Sequence, residues 1–159
     1  MKPKSEKQGY YADCYVLTNK RTVDFIFQLL DRFVPNRKVT ADEFEVPQYS
    51  DLPTNVFSSV DEAIAYLVDN KNTKHSIYWK NLDEGDLKGV ELFFTDDGFL
   101  ICGLYCDTRH PDTMIEDDYF KQLREFCGSD EGYITYENPA VQNSLAFRVE
   151  VKKRRHQTI

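Results

Sequence analysis

Gly89-Val90-Glu91-Leu92-Phe93-Phe94-Thr95-Asp96-Asp97-Gly98-Phe99-Leu100-Ile101-Cys102-Gly103-Leu104-Tyr105-Cys106 is a pair of apolar runs joined by Asp-Asp-Gly. An Asp-Gly turn between two such runs predicts a β-hairpin with arms 89–95 and 99–106, because glycine supplies the positive φ that the turn demands. Along the second arm Leu100, Cys102, Leu104 and Cys106 point one way, and Phe99, Ile101, Gly103 and Tyr105 the other. Both sets are mostly apolar. The arm is therefore expected at the centre of a sheet and covered on both faces, or covered on one of them by a partner.

Outward from the hairpin, the other elements follow from period and punctuation. Residues 10–18 (YYADCYVLT) are aromatic and β-branched enough for a first strand. Val23, Ile26, Phe27, Leu30, Phe33 and Val34 recur at helical spacing up to Pro35. A short strand at 43–46 is flanked by Pro47 and Pro53, and most of 36–55 reads as loop. Ser59 with Glu62 forms a capping box that opens a second helix, and residues 75–80 (HSIYWK) form a strand. A similar box, Thr113 with Glu116, opens a third helix that runs to a C-terminal Gly128. Residues 132–137 form a strand. Leu145, Phe147, Val149 and Val151 alternate with Ala146, Arg148 and Glu150, the period of two expected of a last half-buried strand. The fold class is α+β: a single largely antiparallel sheet of about five to seven strands with three helices.

The 159 residues suit one domain, from 10 to 151, between a disordered basic N-terminus at 1–9 and a basic tail at 152–159. With those ends set aside, 13 basic residues face 26 acidic ones, a net of −13. A body so negative repels phosphate backbones and speeds encounter with a basic partner. Nucleic acid and membrane are not expected partners, and Lys152–Arg155 reads as a solvated terminus. No apolar segment follows Met1 and no long apolar stretch occurs, so the expected location is cytoplasmic and the four cysteines are expected as reduced core thiols.

Motifs for chemistry are sparse. The seven glycines never form a Gly-x-Gly phosphate loop. Cys102 and Cys106 on one strand face would lie about 13 Å apart, too far to chelate one metal. The carboxylate clusters at 83–86, 96–97 and 116–118 read as solvated turns and a helix start. No catalytic residue, metal or cofactor is assigned. The candidate partner surface is Tyr49, Asp51, Tyr78 and Trp79 together with Asp107, Arg109, His110, Asp112, Asp117, Asp118 and Tyr119, which combine the aromatics and acids suited to a basic protein.

The runs Tyr10–Thr18, Ser76–Trp79, Phe93–Leu104 and Gly128–Tyr133, in that order around amphipathic helices, resemble small bacterial proteins of the immunity type, antidotes encoded beside secreted toxins. The resemblance spans most of the chain as an arrangement. It implies a non-catalytic domain that blocks a basic toxin or enzyme. The alternative is a small-molecule binder or an enzyme with a pocket near Cys106, His110 and Asp107. A homodimer packed through the two-sided hairpin is a third expectation.

Overall fold

The computed structural model describes residues 11–157, with side chains through Arg155. Its main sheet is antiparallel throughout and has six strands. In chain order the elements are β1 (Tyr11–Thr18), α1 (Val23–Phe33), β2 (Arg37–Val39), β3 (Phe44–Val46), β4 (Asn55–Phe57), α2 (Val60–Asp69), β5 (His75–Asn81), β6 (Leu87–Phe94), β7 (Leu100–Asp107), α3 (Met114–Cys127), β8 (Gly132–Tyr136) and α4 (Ser144–Gln157). The main sheet runs β2-β5-β6-β7-β1-β8, and β3 with β4 form a separate small hairpin. The α+β class and the antiparallel sheet agree with the sequence reading, with four helices in place of three.

The expected hairpin is β6–β7, with Gly98 at φ 94 in its turn and Thr95 hydrogen-bonded to Phe99 through both backbone and side chain. One face of β7 (Leu100, Cys102, Leu104, Cys106) joins Cys14, Val16, Val90, Leu92, Ile77 and Trp79 in the larger core under α1, α2 and α3. The opposite face (Tyr15, Leu17, Phe93, Ile101, Tyr133) meets Phe147 and Val151 of α4. The chain thus covers one face of the hairpin fully and the other in part. All four cysteines are free and buried.

The last element is the main correction. Residues 144–157 are helical, and only Phe147 and Val151, one turn apart, enter the core, while Leu145 and Val149 are exposed. Asn143 decides it: its side-chain oxygen accepts from the backbone N–H groups of Leu145 and Ala146, which caps a helix that alternation alone would not reveal. The expected tail at 152–155 is the end of this helix. Arg154 donates to Glu150 and to the Ile134 carbonyl and lies over the Tyr133 ring, and Arg155 donates to the Asp130 carbonyl. The described residues therefore carry 17 basic and 26 acidic side chains, a net of −9 rather than −13. The expected disordered segment at 1–9 lies outside the described residues.

Of the two expected capping boxes, the first forms in its Ser59 half. Ser59 accepts from Asp61 and Glu62 N–H at 3.1 and 3.4 Å. Ser59→Ala is expected to lower stability by about 1 kcal/mol, read as a drop in the urea midpoint. The second box does not form. Thr113 donates instead to Asp117, and Glu116, fully buried, accepts the hydroxyls of Thr108 and Tyr136 at 2.7 and 2.8 Å.

Candidate functional site

Helix α4 covers only part of its sheet face. Where it stops, the strands present Tyr11, Asp13 and Tyr15 from β1, Tyr78 from β5, Glu91 from β6 and Tyr105 from β7, and the turn after β8 adds Glu137, Asn138 and Pro139. These residues enclose an open pocket of about 480 Å³. Strand parity places them together: Asp13 is opposite Tyr105, and Tyr15 and Glu91 are both opposite Gly103.

Gly103 makes the floor. A Cβ there would stand 2.9 Å from the Tyr15 ring and 3.3 Å from Glu91 Cβ. Its absence lets the side chains of β1 and β6 meet across the intervening β7. Gly89 does the same for the Tyr105 ring, which a Cβ would strike directly. The ring of Tyr15 packs edge-on against Phe93 and Tyr133, and its hydroxyl donates to the Asn138 carbonyl at 2.6 Å.

Asp13 and Glu91 are 7% and 5% exposed, so two carboxyl groups lie at the pocket base almost without bulk water. They stand close enough that a proton on one can be shared with the other. Burial pushes Glu91 up to about 9, and the neighbouring Asp13 charge adds to the effect. Burial also raises Asp13, partly offset by its hydrogen bond with Glu91 and by the backbone N–H groups of Glu137 and Asn138. Burial next to these carboxyls raises the Tyr15, Tyr78 and Tyr105 phenols. No lysine or arginine among the described residues lines the pocket, and Glu91 Oε2 is buried with no hydrogen-bond donor. A charged pair lacking a cation in low dielectric is costly, and such sites concentrate where proteins bind or react.

A second hollow of about 530 Å³ adjoins the first and shares Tyr78 with it. Val46, Pro47, Gln48, Tyr49 and Thr54 line it on one side and Thr73, Lys74 and Ser76 on the other. Gln48 fixes this wall by pairing with the Ser76 backbone, accepting its N–H at 2.8 Å and donating to its carbonyl at 3.0 Å. Tyr49, 83% exposed, has φ 64, and Glu137 on the rim of the first hollow has φ 57. Among the described residues these two alone combine a positive φ with a side chain. Backbone strain of about 1–3 kcal/mol per residue is commonly retained at functional sites.

The sequence candidates divide. Tyr78 is in the pocket and Tyr49 in the adjoining hollow, with Asp51 exposed on the same loop. Trp79 is a correction: it points to the opposite face and is 2% exposed in the core. Arg109, His110, Asp112, Asp117, Asp118 and Tyr119 gather around the start of α3, while Asp107 ends β7 on the strand face of Tyr105 without lining the pocket. Asp107 pairs with Lys88, the His110 ring meets Tyr136 edge-on, Asp112 accepts from Met114 N–H, and Asp118 accepts from Gln122. Cys106 is sealed in the core while His110 is exposed, so the pocket expected between them gives way to the one over Asp13 and Glu91. Asp13, Glu91, Tyr11, Tyr15, Tyr105 and Glu137 are additions from the structure. The readable signal was a carboxylate within each of two mostly buried strands (YADCYVLT and LKGVELFF).

Among the described residues no group of three or more histidine, cysteine or acidic side chains is placed to hold a metal, and no helix is long and apolar enough to cross a membrane. Comparison with protein-family models, curated proteins and solved structures gave no match.

Proposed function

We propose that this chain is a non-catalytic binding protein of the antidote kind, which blocks a basic protein by drawing one of its cationic groups onto the carboxyl pair at the base of the tyrosine pocket. The observation that carries this reading is the buried Asp13–Glu91 pair, open to a ligand and without a cation from its own chain among the described residues. A cation among tyrosine faces gains from the ring quadrupoles as well as from the carboxylates, most where water is excluded. The two adjoining hollows, about 480 and 530 Å³, make a groove long enough for a stretch of polypeptide rather than a lone amine. The acidic excess of the folded body supports a basic partner through faster encounter.

The test uses the purified basic products of the genes adjacent to its own. One is expected to bind, with an association rate that falls as salt rises, and the double variant Asp13→Asn, Glu91→Gln is expected to weaken it at least about tenfold. Binding that ignores both salt and the double substitution, or no binding by any of these proteins, would overturn the proposal.

A second reading has one observation behind it. Two carboxyls sharing one proton can act as general acid and general base. It would replace the first if the chain turned over a substrate that the double variant leaves untouched.

A further inference from the structure

Resting on that reading, we infer that the group taken into the pocket is a guanidinium, an arginine side chain of the partner, held between Asp13 and Glu91. Three features of the site select it. Glu91 Oε2 is buried and receives no hydrogen bond, so the occupant has to bring N–H donors. A quaternary ammonium has none. The two carboxyls come from β1 and β6 and meet across Gly103, presenting acceptors from different directions on one floor. A planar fork with five N–H donors spans such a floor, whereas an ammonium is a compact, strongly hydrated point charge. The walls are flat rings: Tyr105 meets Tyr11 edge-on at 6.4 Å between centroids, and Tyr78 stands edge-on to Phe93. A guanidinium plane stacks on such rings and is more weakly hydrated, which lowers the penalty of entry.

The titratable groups facing the site are Asp13, Tyr11 and Tyr15 on β1, Tyr78 on β5, Glu91 on β6, Tyr105 on β7 and Glu137 after β8. In the empty pocket Glu91 keeps its proton up to about pH 9. An arriving guanidinium favours the doubly ionised pair, so that proton leaves to solvent and the two carboxylates hold the cation between them. Occupancy therefore strengthens as pH rises toward about 9, below which Glu91 otherwise keeps its proton.

The full chain is titrated with N-acetylarginine amide, N-acetyllysine amide and tetramethylammonium. Binding is followed through the ring-proton resonances of Tyr78 and Tyr105 and by calorimetry in two buffers of different ionisation enthalpy. Expected are binding of the arginine probe at least about tenfold tighter than either of the others, proton release into the buffer, and loss of both in Glu91→Gln with an unchanged circular dichroism spectrum. Equal or tighter binding of the lysine or tetramethylammonium probe would overturn the guanidinium assignment and leave the cation pocket standing. Arginine binding without proton release would overturn the displacement. No response to any of the three probes would overturn the inference and the pocket reading together.

Discussion

Replacing Arg21 with methionine is expected to lower the folding stability by about 3–5 kcal/mol, the loss typical when a buried charged partner is removed and its acceptors are left behind. Arg21 is fully buried just after β1. Its guanidinium donates to the carbonyls of Leu67, Asn70 and Thr73 at the end of α2, and to those of Thr95 and Phe99 across the β6–β7 turn. Its face lies over the Phe94 ring at 5.2 Å. One side chain thus ties the first strand, the second helix and the central hairpin, and it supplies the positive charge that the carbonyl end of α2 favours. Burial lowers it to about 10, so it remains charged at neutral pH. Methionine keeps most of the apolar stem and removes every donor. Urea unfolding followed by tryptophan fluorescence of the buried Trp79 reads the change; a loss under about 1 kcal/mol would show that water replaces the guanidinium and that the hub is dispensable.

The second large effect has the opposite sign. Glu91→Gln is expected to stabilise the protein at pH 8 by on the order of 2–4 kcal/mol, while removing the cation binding proposed above. Folding lifts the Glu91 carboxyl from its ordinary value of 4.5 to about 9. Between those values the folded chain holds a proton that the unfolded chain has released, so stability declines as pH climbs through that window. Below about pH 4.5 both states are protonated and glutamine offers no advantage; above about 9 the loss is complete. The curves of stability against pH for the two proteins should therefore meet near pH 4 and separate steadily above it. Parallel curves would mean that Glu91 is not held in the neutral form. A gain in stability joined to a loss of binding is the mark of a residue kept for a ligand rather than for the fold.

Much of the framework was legible because local signals agree with the tertiary result. The Asp97-Gly98 turn, the Ser59 cap, Pro35 and the periodicity of residues 23–34 each specify an element without help from distant contacts. The C-terminal helix was not legible by period alone. Leu145, Phe147, Val149 and Val151 alternate as a strand would, yet the sheet face has room for only Phe147 and Val151, and Asn143 caps the turn that brings them in. The three-residue strands β2 and β4 carry too few residues to show any alternation. Of the pocket, Tyr78 was within reach as an aromatic beside acids. Asp13 and Glu91 were hidden because their strands read as core, and they meet only through the register of three strands and the missing side chain at Gly103. Such a meeting is a property of pairing, which no local pattern encodes.

The guanidinium of Arg154 on the Ile134 carbonyl has a consequence for how other chains can approach. Strand β8 is the border of the sheet, and a border carbonyl is the natural foothold for an incoming extended peptide. With that foothold occupied by its own helix, and with the opposite border only three residues long, the molecule discourages lengthening of its sheet by a stranger's backbone. A partner of the kind proposed above would then have to meet the broad side, where side chains rather than main chain decide who is admitted.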